Sequence, residues 1–133
     1  MVLLRGALAV VAGIAVFTLG LLAIDAIGTA ITGAEPEWIN RSLTTQVLWT
    51  SANALSMIAG GYVAAWLAPS ARVAHAVIVG AIQTGLTLAA FLTMRNTTTP
   101  TWLWVAGMVM TVPSAWIGGR LKTAGLFRRN EML

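Results

Sequence analysis

One carboxylate, one imidazole and two of the carboxamides within otherwise apolar sequence are candidates for chemistry: Asp25, His75, Asn53 and Gln83. Asp25 is the only acidic residue inside an apolar run, and an ionisable group in a membrane segment is by default a candidate for proton or cation binding. A rise of ~1.5 Å per residue from Arg5 puts it ~30 Å along a helix, close to the far boundary of a bilayer core. Pairing there with Arg41, Arg95 or Thr29 is the structural alternative. Asn53, with Gln46, Thr50 and Ser51, makes one segment unusually polar, and Gln83, Thr84 and Thr87 do the same for another. In lipid an unsatisfied polar group is costly, so these side chains either bond between helices or converge on a polar cavity or substrate path.

His75 is the sole histidine. It could ligate a haem or chlorophyll-type pigment or titrate near neutrality, although interfacial hydrogen bonding asks less of it. Neither a second histidine nor a ligand-spaced cluster accompanies it, so no metal site is expected. The sequence has no nucleophile–base pair, no paired carboxylates and no phosphate-binding glycine loop after a strand, and an enzyme is not expected. Cysteine is absent, which excludes disulfides and thiolate chemistry.

A second pattern concerns packing. Ala52, Ser56, Gly60, Ala64 and Ala68 recur every fourth residue, and small side chains on one helical face let another backbone approach closely, the main source of helix attraction in lipid. Gly6, Gly13 and Gly20 at seven-residue spacing offer one partner face, and Ser114 with Gly118 offers another. The stripe serves either the chain's own bundle or contact with another chain.

The elements that must carry these residues follow from composition. Of 133 residues, 58% are hydrophobic and 9% charged, with a mean hydropathy of +0.83, against roughly 25% charged residues in a soluble domain. A bilayer core about 30 Å thick needs about 20 apolar residues per helix. Four runs suffice, predicting an all-α bundle of four transmembrane helices over residues 4–31, 42–68, 73–94 and 101–121 in one membrane domain, followed by a basic tail at 122–133. Pro69 should stop the second, because proline disfavours helical geometry in the residue before it. Pro113 should kink the fourth, with Thr111 or Ser114 at hand for freed backbone groups. The first run exceeds the about 7–15 residues of a signal peptide core, so it is read as an anchor despite the small residues at Thr32-Gly33-Ala34.

Short connections make successive helices antiparallel. With the N-terminus inside, Arg5, Arg72, Arg120, Lys122, Arg128 and Arg129 are cytoplasmic and only Arg41 and Arg95 are outside, which places both termini in the cytoplasm. The net charge of +4 thus belongs to anionic lipid headgroups rather than nucleic acid. Trp38, Trp66, Trp102 and Trp116 fall near helix ends, as interfacial tryptophans do, with Trp49 and Trp104 deeper. Asn40-Arg41-Ser42 and Asn96-Thr97-Thr98 match the short glycosylation acceptor pattern on the outer side.

Ile58-Ala-Gly60-Gly61-Tyr-Val and Trp116-Ile-Gly118-Gly119-Arg-Leu share a pattern, which suggests two duplicated antiparallel hairpins related by an axis along the membrane normal. The string Ala59-Gly60-Gly61-Tyr62-Val63-Ala64-Ala65-Trp66-Leu67-Ala68-Pro69, then His75-Ala76, then Gly118-Gly119-Arg120-Leu121, resembles small bacterial four-helix membrane proteins. That resemblance implies a bacterial inner membrane and assigns no activity or catalytic residue.

The functional expectation is a structural or accessory membrane subunit that packs against other transmembrane helices, lipids or lipid-like cofactors in a larger assembly. Its helix-packing residues would be Gly13, Gly20, Ala52, Ser56, Gly60, Ala64 and Gly118. Membrane lipids, other membrane subunits or copies of itself are the expected partners. Bound lipid is expected, no other cofactor is required, and His75 leaves pigment or haem open. The alternative is a small oligomeric transporter or channel with Asp25, Asn53 and Gln83 along its path.

Overall fold

The computed structural model describes residues 1–33, 42–94 and 99–125, all helix and connecting turn with no strand among them. Helix α1 spans Val2–Thr32, α2 Leu43–Leu67, α3 Arg72–Thr93 and α4 Thr101–Thr123. Trp38, Asn40, Arg41, Arg95, Asn96, Thr97, Thr98, Arg128 and Arg129 lie outside the described residues.

Local chemistry sets the helix ends. Gly33 closes α1 in the left-handed conformation (φ 62°), its N–H donating to the Thr29 carbonyl, as a C-terminal glycine commonly does. Ser42 opens α2 with a reciprocal cap: the Thr45 N–H donates to Ser42 Oγ at 3.2 Å and the Ser42 N–H to Thr45 Oγ1 at 3.1 Å. Ala68 ends α2 in extended geometry just before Pro69. A tight turn through Ser70 follows, and Ala71 takes a left-handed conformation (φ 44°) before α3 starts. α4 continues helical through Pro113; the Thr111 hydroxyl donates to the Gly107 carbonyl rather than to a group freed by the proline.

α2 is the centre of the bundle, packing on α1, α3 and α4; α4 packs on α2 and α3 but does not touch α1. The hairpins α1–α2 and α3–α4 therefore meet along α2 and α4. A twofold relation between hairpins would give α1 the same contact with α4 that α3 has with α2, and α1 has none. The repeated glycine pairs meet in this seam, with a crossed assignment. Gly61 faces Ala115 and Gly118 faces Ile58 and Tyr62, whereas Gly60 turns to α1 and Gly119 to α3.

Phe17, Met57, Ala64, Val79 and Ala115 form the buried core, with Val10, Ile14 and Leu21 packed against it. Outside the core many large apolar side chains face outward. Leu8 and Leu19 on α1, Leu48 and Leu55 on α2, Leu86 and Leu92 on α3, and Val105 and Val109 on α4 are all exposed. α1 and α3 are long and apolar enough to cross a membrane, with mean hydropathies of 2.6 and 1.8 over their most apolar stretches.

Candidate functional site

The bundle has two unlike halves. The basic half holds the starts of α1 and α3 and the ends of α2 and α4, and brings together Arg5, Arg72, Arg120 and Lys122. Its helices touch through glycine. A methyl group added at Gly13 would lie 2.7 Å from the Gly60 carbonyl oxygen, and one at Gly60 would lie 2.7 Å from the Gly13 carbonyl oxygen. Gly61 abuts the Ala115 backbone and Gly118 the Ile58 carbonyl, while Gly80 and Gly119 join α3 to α4 against Val112 and Ala76. At the surface of this half the Arg120 guanidinium lies 5.6 Å from the Trp116 ring centre and the Lys122 ammonium 5.7 Å from that of Tyr62.

The other half is open. α3 buries Ala76, Val79 and Gly80, all in its first half. α1 meets α3 where Gly6 lies against His75 and Gly13 near Val79. Beyond that point Phe17 and Leu21 of α1 face Gln83, Leu86, Thr87 and Ala90 of α3 across a cavity of about 320 Å³. α2 contributes Trp49 and Asn53 to its wall, and α4 contributes Thr99 just ahead of it with Leu103, Trp104, Gly107 and Thr111. Its size falls at the lower end of small-molecule pockets, roughly 300–1,000 Å³.

Its polar chemistry is neutral. Among the described residues no charged side chain lines it. The Thr87 hydroxyl donates to the Gln83 carbonyl at 2.9 Å and the Thr111 hydroxyl to the Gly107 carbonyl, so both keep oxygen lone pairs to offer. The carboxamides of Asn53 and Gln83 make no side-chain hydrogen bond among the described residues. The Trp49 indole N–H is buried without an acceptor, a deficit of about 1–3 kcal/mol for a neutral donor. Trp104 is held from behind by Phe91, with ring centres 5.8 Å apart. Gly107 leaves open space, for a methyl group there would meet nothing within 4 Å.

Of the residues singled out in sequence, Asn53 and Gln83 share this wall, whereas Asp25 does not. Asp25 is exposed on α1 and makes no ion pair among the described residues; Arg41 and Arg95 lie outside them. Thr50 and Thr84 donate to the Gln46 and Gly80 carbonyls, one turn back in their own helices, and Ser51 faces outward. Gln46 is buried. Of the stripe, Ser56 lies against Gly20, Gly60 and Ala64 against Gly13, and Ala52 is half-buried. His75 Nδ1 lies 3.1 Å from the Ala71 carbonyl, closing the first turn of α3, and its Nε2 points at Gly6. Sequence reasoning missed the aromatic wall of Phe17, Trp49 and Trp104 and the gap at Gly107. The available signal was the i, i+4 spacing of Gln83 with Thr87 and of Gly107 with Thr111 on facing helices.

Comparison with protein-family models, with curated proteins and with solved structures finds no match to the chain.

Proposed function

We propose that the chain is an integral membrane protein of four spanning helices, acting as an accessory subunit that holds other transmembrane helices, lipids or lipid-like cofactors in a larger assembly. The inverted surface carries this reading. A helix bundle in water turns its polar side chains outward. Here Asn53, Gln83, Thr111 and Ser114 turn inward, and the exposed faces of α2, α3 and α4 between their terminal basic residues carry no charge. α2 and α4 have low mean hydropathy because their inner faces hold the small and polar residues; outward they present Val47, Leu48, Leu55, Val105, Val109 and Ile117. The 22 residues of α3 span ~33 Å at ~1.5 Å each, matching a core of about 30 Å.

All four described basic residues gather at one end. The positive-inside bias puts that end, and both termini, in the cytoplasm, with a bacterial inner membrane as the expected setting. Recovery of the chain from membranes by alkaline carbonate, or a C-terminal reporter active only outside the cytoplasm, would overturn the spanning or the orientation respectively. A native-detergent pull-down with mass spectrometry tests the subunit role, the expected result being co-migration with larger membrane partners.

The shared cavity wall of Asn53 and Gln83 favours a second reading, a small oligomeric transporter. Against it, the Phe17–Met57–Val79 cluster and the glycine contacts lie between the polar groups and the basic end, which favours a pocket over a path through the chain. A self-contained oligomer that supports solute flux in vesicles would favour this alternative over the accessory role.

A further inference from the structure

We infer that the open half binds one uncharged amphiphile, its head carrying carbonyl or hydroxyl oxygens, which enters sideways from the membrane between α1 and α3. The inference rests on the membrane-spanning reading above and names the class of lipid-like molecule the site takes.

Among the described residues the lining carries no charge, and this sets the head chemistry. In a half-buried site facing lipid, an ionised head without a counter-charge would bear a desolvation cost that nothing in this wall offsets. Neutral oxygens meet what the wall offers. The carboxamides of Asn53 on α2 and Gln83 on α3 each present donors and an acceptor with no partner among the described residues. The Trp49 ring adds an apolar wall beside them. The Thr87 and Thr111 hydroxyls spend their protons on their own helices and so offer lone pairs to a head-group hydroxyl.

Volume and access set the tail. About 320 Å³ corresponds to roughly ten water volumes at ~30 Å³ each, enough for a compact head and its first few carbons. Phe17, Leu21, Leu86 and Ala90 form the apolar side, on two helices that approach closely where Gly6 meets His75 and Gly13 meets Val79, in the first half of α3. Leu86 is 55% exposed while lining the cavity, so the pocket reaches the outer, lipid-facing surface at that point. A tail leaving there runs straight into the hydrocarbon.

The test uses the full chain in phosphatidylcholine nanodiscs and a monoacylglycerol brominated on its first acyl carbons, which quenches tryptophan on contact. Trp49 and Trp104 report. Saturable quenching by the wild type is expected, weakened at least tenfold in Gly107→Leu, whose side chain fills the cavity from a position with open space. Asn53→Ala and Gln83→Ala, which leave the cavity open, should each weaken it about fivefold and keep the inference testable if Gly107→Leu folds poorly. Quenching that rises without saturation, or equally in wild type and all three variants, overturns the inference. So does equal saturable binding of the correspondingly brominated fatty acid as its carboxylate. Either failure leaves the membrane reading intact, because that reading fails on carbonate extraction instead.

Discussion

Gly60 and Gly107 are both glycines on the inner faces of neighbouring helices, and they do opposite things. Gly60 puts the α2 backbone against the Gly13 carbonyl of α1; Gly107 faces empty space. In lipid, where burial of apolar area separates helix from solvent hardly at all, backbone proximity and the packing around it hold helices together. The basic half concentrates that attraction, with Met57 and Val79 fully buried beneath it. The open half gives it up, and in exchange keeps Asn53, Gln83 and Trp49 partly unsatisfied around a cavity. An end joined by close backbone contacts that supports a loosely packed, polar end is an arrangement in which binding groups stay available without the bundle coming apart.

The largest effect should come from forcing the closed half apart. Gly60→Leu or Gly118→Leu drives a side chain into a backbone carbonyl of the facing helix, where neither side can yield, and each should cost about 3 kcal/mol or more. Thermal unfolding in mild detergent measures it. Gly85→Leu, at a position where an added methyl group meets nothing within 4 Å, is the control. Equal midpoints for Gly60→Leu and Gly85→Leu would abolish the distinction between the halves.

Next comes the core. Met57→Ala removes a side chain that is 1% exposed and leaves a void the glycine-joined backbones cannot close, costing about 2–4 kcal/mol. Leu86→Ala, 55% exposed at the cavity mouth, should cost less than about 1 kcal/mol. The same unfolding assay compares them, and a reversed order would mean that the stable half is the open one.

The helices themselves were legible in sequence because each coincides with a long apolar run bounded by polar, charged or proline residues: the described helices begin and end within two residues of those runs. The Ser42 cap and the stop before Pro69 were legible from side-chain chemistry alone. Which faces meet was only partly so. Seven-residue spacing on α1 marks Gly13 and Gly20 as one face, but nothing in the string says that Gly60 and Gly61, adjacent in sequence and about 100° apart around a helix, would serve two different neighbours. The separation of α1 from α3 beyond Gly13 depends on crossing geometry, which periodicity does not encode. Hence Asn53 and Gln83 could be named as polar candidates, while the aromatic wall that makes a pocket of them could not.

A finer test makes one chemical change in both halves. Gly107→Ala adds a methyl group into free space and removes a glycine from a helix interior, so it should stabilise by about 0.5–1 kcal/mol. Gly60→Ala adds the same methyl group 2.7 Å from the Gly13 carbonyl oxygen and should destabilise by about 1–2 kcal/mol. Opposite signs in parallel unfolding measurements are the expected outcome. Matching signs would mean that helix propensity, not interhelical distance, governs glycine in this bundle.

The smallest stability effect is expected at Asp25, which belongs to neither the glycine contacts nor the cavity wall. It is exposed on α1, with no ion pair among the described residues, and Asp25→Asn keeps its shape and much of its hydrogen bonding. The shift in unfolding should stay within about 0.5 kcal/mol, and brominated monoacylglycerol should bind both forms alike. The same substitution separates the accessory role from transport, because it removes the only carboxylate within the apolar run of α1 and hence the acidic group best placed for ion coupling. Wild type and Asp25→Asn reconstituted side by side in vesicles should both lack proton- or cation-driven flux. Robust flux in the wild type that disappears in the variant while folding is retained would move Asp25 from the periphery to the centre of function, and would make the pocket one end of a path that opens in an oligomer.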